Sequence, residues 1–457
     1  MTSRFIAPDA IRLAFSGAMS RMYREEVPLY GDLLEIVART NARALEADPA
    51  LKARLEASGE LARLNDERHG AIRVGTPGEL SLMRRLFAVM GMAPVGYYDL
   101  AVAGLPVHST AFRPVDAGAL SACAFRIFCS LLRIDLIADE ALRETARETL
   151  ARRRIVSDGA LALIEQYERD GGLSSDDAES FVLQALETFR WHGQALVDHE
   201  TYEALSKAHR LIADIVCFRG PHINHLTPRT LDIDAAQAEM LACGIRAKAV
   251  IEGPPRRAAP VLLRQTSFQA LEEAIRFPQP DGSFVPGAHT ARFGEIEQRG
   301  YALTPAGRAL YDEILAEVEA ARAEGGETYQ ARLAAAFARL PDDVDALRRA
   351  GLAYFSYRPT REGARRLAAG GLPAGSPEDL VESGMLSAEP ITYEDFLPVS
   401  AAGIFRSNLG DAEEGRLAAA SSQAAFEAAL GAPCLDPFGL YLDQEEASLE
   451  ALEQATA

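Results

Sequence analysis

Segments with strand character are short in this chain, lie far apart, and are separated by long helical stretches. The first, His69-Gly-Ala-Ile-Arg-Val-Gly75, is too short and too glycine-bounded for a helix. Strand-like text returns at 95–137 (GYYDLAVAGLPVHSTAF, then SACAFRIFCSLLRIDL), at 215–232, in PVLLRQTSF (260–268) and in RFGEIEQRGYALT (292–304). Residues 1 to about 62 carry apolar positions at helical spacing, with Pro28 separating two helices. Residues 138 to about 214 read as a helical insertion, where GGLSSDDAES supplies a cap region. Thr76, Pro77 and Glu79 form a helix-start signature, and Thr304 with Pro305 opens an amphipathic helix over TPAGRALYDEILAEVEAARAEG. Near the C-terminus ITYEDFLPVSAAGIFRSNL reads as extended, and 445–457 as an acidic, solvated helical tail. Neither a repeat nor a low-complexity linker interrupts the pattern. The expectation is one large α+β domain over 1–457, with a mixed β-core assembled from distant segments and wrapped by many helices.

Composition narrows the function. With 48% hydrophobic residues in 457, the chain has ample material for a core. Its formal charge of −19, from 66 acidic against 47 basic residues, repels nucleic acid and anionic lipid, and no basic patch offsets it. The expected partner is therefore a small molecule, with no nucleic acid and no membrane. Five cysteines without a CxxC pair argue against a disulfide framework or a thiolate zinc site. No window reaches eighteen uninterrupted apolar residues, and the first residues lack the pattern of a signal peptide. The chain reads as cytoplasmic.

Of the eight histidines, His192, His199 and His209 lie in helical text and read as surface or capping residues. His289 reads as a loop residue in PGAH, and His108 as a satisfied strand histidine. His69, His222 and His225 sit in strand-and-loop settings rich in polar groups. On a strand, His69, Ala71 and Arg73 share a face, with the first and last about 13 Å apart along the backbone. An imidazole and a guanidinium would then project into one space, and the guanidinium fork suits a carboxylate. In HINH an extended backbone sends His222 and His225 to opposite faces, so one of the two reaches a given site. In FGEIEQRG the carboxylates of Glu295 and Glu297 share a face with Arg299, so Glu297 with Arg299 can form a plain ion pair. Parity chooses neither between His222 and His225 nor between Glu295 and Glu297. Two imidazoles and one carboxylate with open positions make the facial triad suited to Fe(II) and dioxygen.

Five blocks, NDERHGAIRVGTPGEL, FRGPHINHLTPRTLDID, VLLRQTSFQAL, RFGEIEQRGYALTPAGRALYD and DFLPVSAAGIF, follow one another in an order and wording that resembles the 2-oxoadipate dioxygenase/decarboxylase family. The resemblance implies a β-core of the vicinal-oxygen-chelate, glyoxalase-like type enlarged by helices. It implies an Fe(II) enzyme of lysine catabolism that converts 2-oxoadipate and dioxygen to 2-hydroxyglutarate and carbon dioxide. Carried onto this sequence, it makes His69, His225 and Glu295 the metal ligands. It makes Arg73 the substrate arginine and Val399 a backbone contact to substrate, with His69 and His225 also at the substrate. Gln265 and Ser400, polar residues in matched blocks, are expected to line the pocket. Two alternatives stay open: a metal-dependent lyase or isomerase of the glyoxalase kind, and a non-catalytic protein whose helices bind a partner.

Overall fold

The computed structural model describes residues 5–248, 250–320, 329–397 and 422–454. The strands among them are β1 (Arg68–Val74), β2 (Ala93–Asp99), β3 (Val107–Arg113), β4 (Arg126–Leu132), β5 (His225–Pro228), β6 (Leu263–Ser267), β7 (Glu272–Pro278), β8 (Phe284–Thr290), β9 (Phe293–Arg299), β10 (Phe355–Pro359) and β11 (Leu386–Pro390). Seven of them form one mixed sheet in the order β2-β3-β4-β1-β5-β9-β6, curled into a half-barrel. β1 runs parallel to β4 and antiparallel to β5, while β9 runs parallel to β5 and antiparallel to β6. The centre of the sheet thus joins residues from three distant parts of the sequence. The fold is mixed α+β with many helices.

β4 is buried along its whole length, RIFCSLL, because both of its faces are covered. Ile127, Cys129 and Leu131 enter a core with Phe15, Met19 and Phe87, and Phe128 and Leu132 enter a second core with Val107, Leu205 and Ile212. Each large apolar side chain so buried contributes about 1.5–3 kcal/mol. Directly after β1 the chain turns into a helix, Pro77–Ala88, closed by a full capping box. The Thr76 hydroxyl accepts the Glu79 N–H, and the Glu79 carboxylate accepts the Thr76 N–H.

Two glycines let neighbouring segments close on the central strands. A Cβ on Gly70 would lie 2.5 Å from Ile223 Cδ1 and 3.1 Å from the His225 carbonyl, and one on Gly294 would lie 2.4 Å from the Phe268 ring. The N-terminal helices Pro8–Glu26 and Pro28–Ala47 brace the same region. The buried Tyr23 hydroxyl shares its proton between the carbonyls of Phe293 (2.7 Å) and Asn224 (3.0 Å), next to β9 and β5. The expected helices of 138–214 are present, beginning with Glu140–Ala151 and ending with Arg210–Val216.

Two local expectations need correction. The hairpin β7–β8 replaces what reads as loop, because Pro278, Pro286 and Gly282 punctuate its sequence. A two-stranded ribbon has only edges, so prolines fit there without breaking a ladder. His289 is therefore a strand residue, and it is buried. The acidic tail is not simply solvated. Its helix, Pro437–Gln454, docks on β10, where Glu445 Oε1 accepts the Phe355 N–H and Ser448 Oγ accepts the Tyr357 N–H, each at 3.0 Å. No helix among the described residues is long and apolar enough to cross a membrane.

Candidate active site

His69 follows Arg68 at the start of β1, His225 opens β5, and Glu295 is the third residue of β9. Register aligns them: His69 lies opposite Thr227, Ala71 opposite His225, and His225 opposite Phe293. The three side chains converge on the curled sheet with exposures of 1%, 3% and 4%. His69 Nε2 stands 3.3 Å and His225 Nε2 4.0 Å from Glu295 Oε1. One ligand atom from each lies within 4.8 Å of the others, so the group can hold a metal ion. Donors about 2.1 Å from a common ion stand roughly 3–4 Å apart around it, so the spacing and the donor types fit.

Neighbours orient each donor. Gln265 Nε2 donates to Glu295 Oε1 at 2.7 Å, and the Thr227 hydroxyl donates to the same oxygen at 3.2 Å. Glu297, on the same face of β9, lies 3.0 Å from the other nitrogen of His69. It is also gripped by Arg299 through two contacts of 2.9 Å. The pair foreseen between Glu297 and Arg299 therefore exists, but it is fully buried, and His69 bridges the two carboxylates. Phe396 packs its ring 4.9 Å from that of His69, and Phe293 packs 4.8 Å from His225.

Burial pushes His225 down to about 4, which leaves it neutral and able to donate a lone pair. Burial opposes protonation of His69 too, but the carboxylates of Glu297 and Glu295 outweigh it and raise this imidazole. Burial would raise Glu297, yet Arg299 and then His69 hold it down at about 2. Glu295 also falls below the usual carboxylate range, because His225 and His69 outweigh its burial.

Arg73 shares the β1 face with His69, half-buried at an open cleft also lined by His209, Asp214, Thr290 and Phe293. Its Nη1 donates to Asp214 Oδ2 at 2.6 Å. His222 turns away from His225: its Nε2 lies 3.2 Å from Asp214 Oδ1, where His289 Nε2 also arrives at 3.0 Å. His209 caps the helix Arg210–Val216 and His199 is exposed, as their sequence settings suggest. His108 is buried against Phe426, 3.4 Å from the Tyr97 hydroxyl. Val399 and Ser400 lie outside the described residues.

The sequence reading missed Asp214, Thr227 and Phe396. Thr227 could have been found, since it sits two residues beyond His225 and so shares its face. Asp214 had a weaker signal, a lone acid within the apolar helix RLIADIV.

A family model described as 2-oxoadipate dioxygenase/decarboxylase matches residues 15–408. A protein of that name from Escherichia coli (strain K12) is 55% identical over 444 residues, covering 97% of this chain and 98% of that protein. The chain belongs to this family. It is an enzyme, which sets aside the non-catalytic alternative. A family member from Pseudomonas putida is 54% identical over 456 residues, covering 99% of this chain and 98% of that protein. The crystal structure of the hydroxyglutarate synthase from Pseudomonas putida in complex with 2-oxoadipate superposes with a TM-score of 0.91 at 52% identity, covering both chains fully.

Proposed function

We propose that this chain is a mononuclear non-haem Fe(II) dioxygenase that oxidatively decarboxylates 2-oxoadipate to 2-hydroxyglutarate and carbon dioxide, in lysine breakdown in the cytoplasm. The observation that carries the reading is the convergence of His69, His225 and Glu295, buried together beside a cleft that holds a guanidinium. The donor set favours Fe(II) over a thiolate-bound metal, because it is two imidazoles and one carboxylate. Bound there, Fe(II) would supply Lewis acidity, a template for the 2-oxo acid and activation of dioxygen.

The chain's own residues do the rest. Neutral His225 offers its lone pair without first losing a proton. Glu297 takes the Nδ1 side of His69 and so turns Nε2 toward the centre. Gln265 and Thr227 hold the Glu295 carboxylate by donating to it. Phe396 and Phe293 wall the site against water. Arg73 takes the far carboxylate of the substrate, and Val399 and Ser400 contribute from the segment after Leu397. The balance needs no external reductant. The first carbon leaves as carbon dioxide, and the keto carbon becomes a carboxylate by gaining one oxygen atom. The other oxygen atom becomes the new hydroxyl.

Oxygen uptake and carbon dioxide release, measured together with 2-oxoadipate, test the reading. Equal amounts of the two support it. Turnover under anaerobic conditions contradicts it and favours a glyoxalase-like lyase or isomerase.

A further inference from the structure

Arg73 alone is a poor discriminator. A long, partly exposed arginine without a fixed partner samples many rotamers, and a carboxylate that binds it must first freeze it. In this protein the freezing is done beforehand. Arg73 Nη1 meets Asp214 Oδ2 at 2.6 Å, and Asp214 is itself held from its other side. Its other oxygen, Oδ1, lies 3.0 Å from His289 Nε2 and 3.2 Å from His222 Nε2. The far nitrogen of His289 is tied to the Tyr202 hydroxyl at 2.9 Å. Trp191 sits edge-on to His222 at 4.7 Å and stacks on His289 at 6.1 Å, so neither ring is free to turn. Asp214, His222 and His289 are all buried; Arg73, the most exposed of the four, lines the cleft together with an edge of Asp214.

The geometry points to Asp214 as a positioning residue for substrate recognition: pinned by His222 and His289, it fixes the Arg73 guanidinium so that its remaining N–H groups form a ready fork for the far carboxylate of a 2-oxo diacid. This rests on the proposed role of Arg73. A guanidinium has five N–H donors, and the contact with Asp214 uses one nitrogen, leaving the Nε and Nη2 edge for a second, bidentate carboxylate. Burial would raise the Asp214 carboxyl, but His222 and then Arg73 hold it well below the usual range, so it stays an anion throughout the working range of pH. The arrangement also gives His222 a task distinct from that of His225.

The test compares 2-oxoadipate with 2-oxohexanoate, which has the same chain without the far carboxylate, on the full iron-loaded enzyme. In Asp214→Asn, KM for 2-oxoadipate should rise about ten- to a hundredfold, the loss expected for a misplaced charged hydrogen bond. kcat and the constants for 2-oxohexanoate should stay within about threefold, and adding the change to Arg73→Ala should cost almost nothing more. Equal losses on both substrates, or additive losses in the double variant, overturn the assignment. If the wild type shows no preference for the diacid, the role of Arg73 falls and the assignment falls with it. If Asp214→Asn does not fold, His289→Gln, which loosens the carboxylate without removing it, decides by the same ratio. A selective rise of KM for the diacid supports the assignment, and an unchanged ratio overturns it.

Discussion

Two groups of two imidazoles and one carboxylate lie buried among the described residues, and they differ in what stands beside the carboxylate. In one, Asp214 receives His222 and His289, and the guanidinium of Arg73 completes it at 2.6 Å. In the other, Glu295 receives His69 and stands 4.0 Å from His225, with Gln265 and Thr227 as its neutral donors. The nearest guanidinium on that strand, Arg299, is bound instead to Glu297. A buried carboxylate is costly unless a positive charge or strong donors compensate it. The Asp214 group carries its own cation, while the Glu295 group is arranged to receive one. On the proposed reading, the same residue types serve recognition in one place and metal binding in the other.

The comparison can be broken by substitution. His69→Ala should have the largest effect. It removes a ligand and leaves Glu295 and Glu297 facing each other, so metal binding and turnover should both be lost, as read by iron analysis and oxygen uptake. Glu297→Gln should be next. It keeps the shape but weakens the hold on His69 and takes away the charge that Arg299 pairs with, and metal affinity should fall about 10–100-fold in a competition titration. Arg73→Ala should leave iron bound and raise KM for the diacid, because a contact made equally in ground and transition states is lost. An unchanged KM would mean that Arg73 only balances Asp214. Tyr23→Phe should be the mildest. It removes the hydroxyl that braces Asn224 and Phe293 and should lower stability by about 1–3 kcal/mol in denaturant unfolding, because two buried carbonyls lose a donor. A large loss of turnover in folded Tyr23→Phe would show that the N-terminal brace sets the position of His225.

Much of this was legible in the sequence. Thr76 and Glu79 announced their helix, and the β1 pattern placed His69 and Arg73 on one face. The two ambiguous pairs show where legibility ended. His222 and His225 differ in fate because Asp214, on a helix, waits for one and Glu295, on β9, for the other. Nothing local to HINH encodes those partners. Likewise Glu295 and Glu297 obey the same alternation. What separates them is partly the register of β9 against β6, which brings Gln265 within reach of Glu295, and partly Arg299, two residues farther along β9, which takes Glu297. The hairpin that carries His289 was hidden by its prolines, so the Asp214 group was not visible at all.

Metal content measures the difference between the two groups most directly. After anaerobic reconstitution with Fe(II) and removal of excess, the wild type should retain about one iron per chain, His222→Ala should retain nearly as much, and His225→Ala should retain none. Two irons per chain, or equal loss in both variants, would contradict the account.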